Sequence, residues 1–209
     1  MNRKKIFYAL VTVLLLIAVG WSIILFQIFK VKSKAGFYGN SYEGEAPEFT
    51  LTSHNGGKVR LSDFKGKAVL IFFGYTHCPD ICPVTMGTLK NVTDTLGEDS
   101  ANVQVLFVTI DPERDDQEKL KSYVPYFGES FIGLTGTPEE IDKVADDYNV
   151  FYAKEEVDSE SGYLMSHGSS VYLIDPKGKF VLRYPQNRMD PARITEDIKK
   201  ILNPSHKFF

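Results

Sequence analysis

The sequence predicts an α/β fold built on a largely parallel sheet, and three observations carry that expectation. Short β-branched and aromatic runs, Ala68 to Phe73 and Val103 to Ile110, have the length and composition of buried strands. Segments with apolar residues at helical spacing alternate with them. A closing pair of strands around Asp175-Pro176-Lys177-Gly178 then adds antiparallel partners.

In chain order, residues 6–29 form an apolar run free of charged side chains, interrupted only by Thr12, Ser22 and Gln27. At about 1.5 Å per residue such a run is long enough to cross a hydrocarbon core of roughly 30 Å. It exceeds the apolar core of a cleaved signal peptide, so it is expected to be a single transmembrane anchor behind a short cytoplasmic stretch, residues 1–5. Three basic residues stand on each side (Arg3, Lys4, Lys5 and Lys30, Lys32, Lys34). The N-terminal amine then favours an inside N-terminus and an outside C-terminal domain. Residues 30–45, with Gly36, Gly39 and Gly44, read as a linker, 46–203 as the folded domain and 204–209 as a tail.

Within the domain, Phe49–Leu51 and Val59–Leu61 flank His54-Asn55-Gly56-Gly57 as an N-terminal hairpin, with His54 expected to be solvated at the turn. After the strand at 68–73, Leu89, Val92 and Leu96 mark a helix that Gly97 closes. A second strand over 103–110 is followed by a helix through Leu120, Val124 and Phe127, and by a short strand at Phe131–Leu134. Thr137-Pro138-Glu139-Glu140 is a helix start, with cap, first-turn proline and a glutamate placed for a capping box. Val150–Ala153 is a candidate strand before a polar segment reaching Gly162. Val171–Ile174 and Phe180–Leu182 form the closing hairpin, and Ile194, Ile198 and Ile201 the last helix. This order gives a thioredoxin-like fold with an N-terminal hairpin extension. In that plan a reactive cysteine stands where the first central strand passes into a helix.

Both cysteines of the chain, Cys78 and Cys82, stand at that place. Four residues apart, they share one helical face, and a helix N-terminus favours thiolate. Pro79 suits a first helical turn, whereas Pro83 is expected to push Cys82 out of helical angles, leaving an irregular helix entrance. A structural disulfide would close so short a loop that it constrains the unfolded chain little. Structural zinc wants four ligands. Two soft thiolates and one imidazole suit copper, as Cu(I) or Cu(II). His167, just before the Val171 strand, is the best third ligand. His77 is expected to diverge from the thiols, Met165 is a core residue or a thioether donor, and His206 lies in the tail. Six of the 24 Lys and Arg flank the apolar run, so the remainder carries 18 against 27 Asp and Glu, a formal −9. A domain so acidic is a poor partner for nucleic acid or an anionic lipid surface.

The run Phe73-Gly74-Tyr75-Thr76-His77-Cys78-Pro79-Asp80-Ile81-Cys82-Pro83 closely resembles the Sco (SenC-type) copper proteins of cytochrome c oxidase assembly. The resemblance extends to Thr109-Ile110-Asp111-Pro112-Glu113-Arg114-Asp115, the isolated His167 and Tyr172–Gly178, covering about residues 45–203. It implies one copper ion bound by Cys78, Cys82 and His167, with Asp111 near the site behind the ligands. It also implies an extracytoplasmic metallochaperone rather than an enzyme, which loads or prepares the binuclear copper site of cytochrome c oxidase subunit II. A second extracytoplasmic copper chaperone or a thiol reductant is the further partner implied.

Two alternatives bear on that reading. A dithiol–disulfide oxidoreductase would use Cys78 to attack and Cys82 to resolve. Against a general reductase, the cysteines are separated by three residues rather than two, and Ser169-Ser170 occupy the place of thioredoxin's proline. A peroxidase is weaker, because neither cysteine sits in a proline-threonine-x-x-cysteine pattern. Within the family an acidic residue often precedes the histidine, where this chain has Ser166. The short N-terminus lacks an arginine- and serine-rich transit segment, so the expected location is a bacterial plasma membrane.

Overall fold

A computed structural model describes residues 7–8, 11–22, 36–156 and 162–203. The chain divides into two compact units, 1–37 and 38–209. In the first, residues 7–8 and 11–22 are helical. Among the described residues no helix is long and apolar enough to cross a membrane. The expected span 6–29 runs into residues outside those described, as do the 204–209 tail and His206.

The second unit is organised on two neighbouring strands, β4 (Ala68–Gly74) and β5 (Val103–Thr109), which pair in parallel from Ala68↔Val103 to Gly74↔Thr109. All seven residues of each are buried. The alternation of a half-exposed strand is absent because both sheet faces are covered. Helix α1 (Ile81–Leu96) makes the crossover between them and buries Cys82, Met86, Leu89, Val92 and Leu96 at helical spacing. Gly97, at φ 59°, ends it in a conformation glycine adopts without penalty.

β6 (Ile132–Thr135) lies parallel to β5 on one side. On the other, β9 (Val171–Ile174) and β10 (Phe180–Tyr184) add antiparallel strands. Helix α4 (Pro191–Leu202) packs with α1 and buries Ile194, Ile198 and Ile201. The core β5-β4-β9-β10 with its two crossover elements is the thioredoxin-like arrangement. The expected hairpin, β2 (Thr50–Ser53) and β3 (Lys58–Arg60), extends this sheet beyond β6. With β1 (Asn40–Ser41) at the other edge, the sheet has, among the described residues, eight strands in the order β1-β10-β9-β4-β5-β6-β2-β3.

Helix α2 (Gln117–Tyr123) is shorter than the periodicity of Leu120, Val124 and Phe127 suggests. It tightens into a 3₁₀ turn at Val124–Tyr126, because Pro125 has no amide hydrogen and its ring crowds the preceding turn. Helix α3 (Pro138–Asp147) has the expected cap: Thr137 Oγ1 accepts from the Glu140 amide, and the Glu140 carboxylate accepts from the Thr137 amide.

Three expectations are corrected. Residues 38–45 belong to the folded unit rather than to a linker, since the buried carboxylate of Asp197 accepts from the amides of Tyr38 and Gly39, and β1 pairs with β10. His54 is buried, 2% exposed, not solvated. Its backbone amide donates to the Gly133 carbonyl, and its Nδ1 accepts from the Gly133 amide at 2.8 Å. Finally, the candidate strand at 150–153 lies further along the chain and reaches into the polar segment. β7 (Tyr152–Glu156) and β8 (Tyr163–His167) form an antiparallel ribbon of their own, paired from Tyr152↔His167 to Glu156↔Tyr163.

Candidate metal centre

The two parallel strands β4 and β5 end on the same side of the sheet, where open α/β sheets place their ligands. Beyond β4 the chain turns through Tyr75–Cys78, the Cys78 amide donating to the Tyr75 carbonyl, and enters α1. Cys78 stands just outside the helix and Cys82 is its second residue. The expectation that Pro83 would force Cys82 out of the helix is therefore corrected. Pro83 occupies the third helical position, where no intrahelical acceptor exists for an amide, so the missing hydrogen costs nothing.

The Asp80 side chain makes no cap bond. Cys78 Sγ takes that role, accepting from the Cys82 amide at 3.4 Å. Orphan amides at a helix N-terminus stabilise a negative sulfur. The Cys78 thiol is held well below the ordinary thiol range. Its hydrogen bond from Cys82 is the largest cause, and the Asp80 and Cys82 amides add to it. Cys82 moves the opposite way, because it donates to Cys78 and is fully buried. In the metal-free chain the two sulfurs thus share one proton, with the thiolate on the more exposed Cys78.

The third group arrives from the ribbon. His167 closes β8, and its ring packs edge-on to Tyr75 and near Phe72. Its Nδ1 lies 3.2 Å from the Gly168 carbonyl. A carbonyl only accepts, so that contact puts the proton on Nδ1 and leaves the Nε2 lone pair facing the thiols, 3.4 Å from Cys82 Sγ. The ligand atoms of Cys78, Cys82 and His167 lie within 4.8 Å of one another, the one such cluster among the described residues. Three donors around an ion at about 2.0–2.3 Å would stand roughly 3.5–4 Å apart, so small side-chain adjustments suffice. The softness of the set favours copper.

Other expected residues fall around this centre. Met165 is buried in the ribbon and His77 is turned aside, its Nδ1 3.2 Å from Thr76 Oγ1. Asp111 is buried where the chain leaves β5, but its carboxylate meets Arg114 Nε and Tyr163 Oη rather than a sulfur. Sequence reasoning missed Asp115. This buried carboxylate accepts from the Thr76 amide (2.8 Å), Thr76 Oγ1 (2.5 Å) and Thr109 Oγ1 (2.7 Å), tying the cysteine loop to the end of β5. The signal was present in the quoted Asp111–Asp115 run, but the partners of each acid are set by tertiary structure. Gly74 was also missed. A Cβ there would stand 3.0 Å from Cys82 Sγ and 2.9 Å from the Phe72 ring, so only glycine lets β4 pass beneath the buried sulfur.

Fold and centre together define a thioredoxin-like dithiol protein in which an imidazole completes a three-donor cluster. The SCO1/SenC family matches residues 40–203, and the chain belongs to that family. It is 39% identical to the mitochondrial protein SCO1 homolog of Homo sapiens over 76% of this chain and 53% of that protein. It is 32% identical to an SCO2-like protein of Rickettsia felis over 94% of this chain and 98% of that protein. The chain thus spans about half the length of the human relative and nearly all of the rickettsial one. The crystal structure of Arabidopsis thaliana ScoI with copper bound superposes with a TM-score of 0.70 at 38% identity, covering 75% of this chain and 97% of that one. BsSco, described with a disulfide switch as a member of the Sco family of cytochrome c oxidase assembly proteins, superposes with a TM-score of 0.62 at 26% identity, covering 78% and 96%.

Proposed function

We propose that this protein binds one copper ion through Cys78 Sγ, Cys82 Sγ and His167 Nε2 and serves cytochrome c oxidase assembly as a metallochaperone. The ion is delivered to, or its site prepared on, the binuclear copper centre of oxidase subunit II. The convergence of the three donors carries the reading, and the copper-bound relative supports the choice of metal. Copper is cargo here. Cys78 is half-exposed and Cys82 fully buried. An acceptor's ligand can therefore approach at Cys78 while Cys82 keeps its hold, which suits transfer by stepwise ligand exchange. Residues 6–29 anchor the chain in a bacterial plasma membrane, with the domain on the extracytoplasmic face, where thiol oxidation and copper traffic both occur. A second extracytoplasmic copper chaperone or a thiol reductant is the partner that would supply copper or electrons.

A second reading rests on the divided thiols. Cys78 thiolate would attack a partner disulfide, forming a mixed disulfide and releasing one partner thiolate. Cys82, giving up its proton, would then attack Cys78 Sγ and release the second. Two electrons pass to the partner and a Cys78–Cys82 disulfide remains. The disulfide switch ascribed to BsSco favours keeping this possibility beside metal delivery.

Removing the gene from its host under copper limitation tests the assignment. Assembled, copper-replete oxidase is expected to fall, with recovery on return of the wild type but not of His167→Ala. Normal oxidase without the protein would overturn the assignment. Full rescue by His167→Ala would favour the thiol reading, which has no need of the imidazole.

A further inference from the structure

Among the described residues, the ribbon that carries His167 is bonded to neither side of the main sheet, and β7 and β8 pair with each other. Two-stranded ribbons are marginal on their own, so docking must hold this one. Between it and the body opens a cleft of about 270 Å³ bordered by Ile110, Pro112, Pro138, Asp142, Tyr152 and Met165. The ribbon is therefore not packed flush against the body along its length, and the contacts at its ends matter most.

At the end remote from His167, about 13 Å along β8 at 3.3 Å per residue, stands Tyr163. The Arg114 guanidinium lies over its ring, 3.5 Å from the centroid, with Nη1 donating to the Tyr163 carbonyl at 2.9 Å. Tyr163 Oη donates to Asp111 Oδ1 at 2.8 Å, and Arg114 Nε donates to Asp111 Oδ2 at 2.5 Å. Asp111 is 1% exposed and held by the loop after β5. One buried carboxylate thus grips a cation and a phenol together, and the cation grips the ribbon's backbone. Because Asp111 is buried, removing either partner would leave a carboxylate poorly paired in the interior, which costs far more than losing a surface ion pair. The ribbon's second tie on this side, Lys154 to Glu113, is exposed and worth little.

We infer that Arg114, held by Asp111 and covered by Tyr163, is a positioning residue that sets how firmly His167 reaches the two sulfurs, and that it thereby selects the oxidation state of the bound copper. The inference rests on the three-donor copper reading. Two thiolates alone satisfy Cu(I), a soft ion, whereas Cu(II) draws on nitrogen and a fuller coordination shell. Loosening the ribbon removes the imidazole and leaves the thiols in place. Cu(II) affinity then falls while Cu(I) affinity is preserved.

The test uses the full chain in detergent with Tyr163→Leu, Tyr163→Phe and Arg114→Gln, each in the wild-type and His167→Ala backgrounds. Dissociation constants for Cu(I) and for Cu(II) are measured, along with amide hydrogen exchange of the metal-free proteins. Tyr163→Leu and Arg114→Gln are expected to weaken Cu(II) at least about tenfold, or ~1.4 kcal/mol, and Cu(I) by less than about threefold. Tyr163→Phe, which keeps the ring over the guanidinium, is expected to lose less. None of the three should weaken Cu(II) further once His167 is Ala. Exchange should quicken in residues 163–167 and stay unchanged in β4, which excludes general loss of stability. Equal losses for both ions, losses that persist in the His167→Ala background, or unaltered exchange in the ribbon would overturn the inference. If His167→Ala alone binds both ions as wild type does, the three-donor reading fails and the selection fails with it. The exchange data then still report whether Arg114 holds the ribbon.

Discussion

Cys82 Sγ and His167 Nε2 stand 3.4 Å apart, although 85 residues separate them along the chain. One sits in the first turn of α1 and the other at the end of a ribbon outside the main sheet. Their meeting turns a dithiol, which could serve redox exchange alone, into a three-donor cluster.

The asymmetry between the two sulfurs predicts their reactivity. Cys78 is lowered chiefly by its bond from Cys82, so its thiolate persists below neutral pH. An ordinary thiol near pKa 8.5 loses thiolate about tenfold per pH unit in that range. Alkylation of the metal-free chain with iodoacetamide is expected at Cys78 first, at a rate nearly constant from pH 8 to 6. In Cys82→Ala, which removes that donor, the rate should fall more steeply with pH. Equal labelling of both cysteines in the wild type would contradict this account.

Gly74 predicts a steric effect on the same sulfur. In Gly74→Ala the new methyl meets Cys82 Sγ and the rings of Phe72 and Phe107, all at 2.9–3.0 Å. The protein should lose ~1–3 kcal/mol, the usual cost of overpacking a core, and its copper affinity should fall because the buried donor is displaced. Urea unfolding and a copper titration measure the two effects. A variant as stable as wild type with unchanged affinity would show that β4 yields freely.

His54 predicts a pH effect remote from the metal. Burial lowers its pKa in the folded chain, and its Nδ1 accepts from Gly133, which requires the neutral ring. Above about pH 7 neither state is protonated and there is no effect. As the pH falls through about 6.5 the unfolded chain takes up a proton that the folded chain refuses, and stability drops. His54→Gln should be less stable at pH 7.5, and its deficit relative to wild type should shrink by pH 5.5. A deficit independent of pH would mean that His54 titrates alike in both states.

The sequence makes some of this architecture legible and hides the rest for physical reasons. β4 and β5 declare themselves because strands buried on both faces must be continuously apolar, and α3 because its capping box is local chemistry. The β8 strand is different. Tyr163-Leu164-Met165-Ser166-His167 is half solvated and docks by a buried Met165 and a cation under Tyr163, so neither alternation nor an apolar run reveals it. His54 looks like a turn residue because its acceptor and donor, Gly133, lie 79 positions away. Asp111 and Asp115 sit four apart in one motif, and nothing local indicates that the first would take Arg114 and Tyr163 while the second fixes Thr76. Of the centre itself, the two cysteines and the histidine could be named from the sequence, while the residues that hold them could not.

The central claim is that His167 completes the metal centre, and one measurement addresses it most directly. One equivalent of copper is added to the full chain in detergent, wild type and His167→Ala, and retained metal and thiolate-to-copper absorption are recorded after gel filtration. Wild type is expected to keep close to one copper with a strong charge-transfer band. His167→Ala should show an altered band and a loss of Cu(II) affinity of at least about tenfold, or ~1.4 kcal/mol. Equal retention with an identical spectrum would contradict the account.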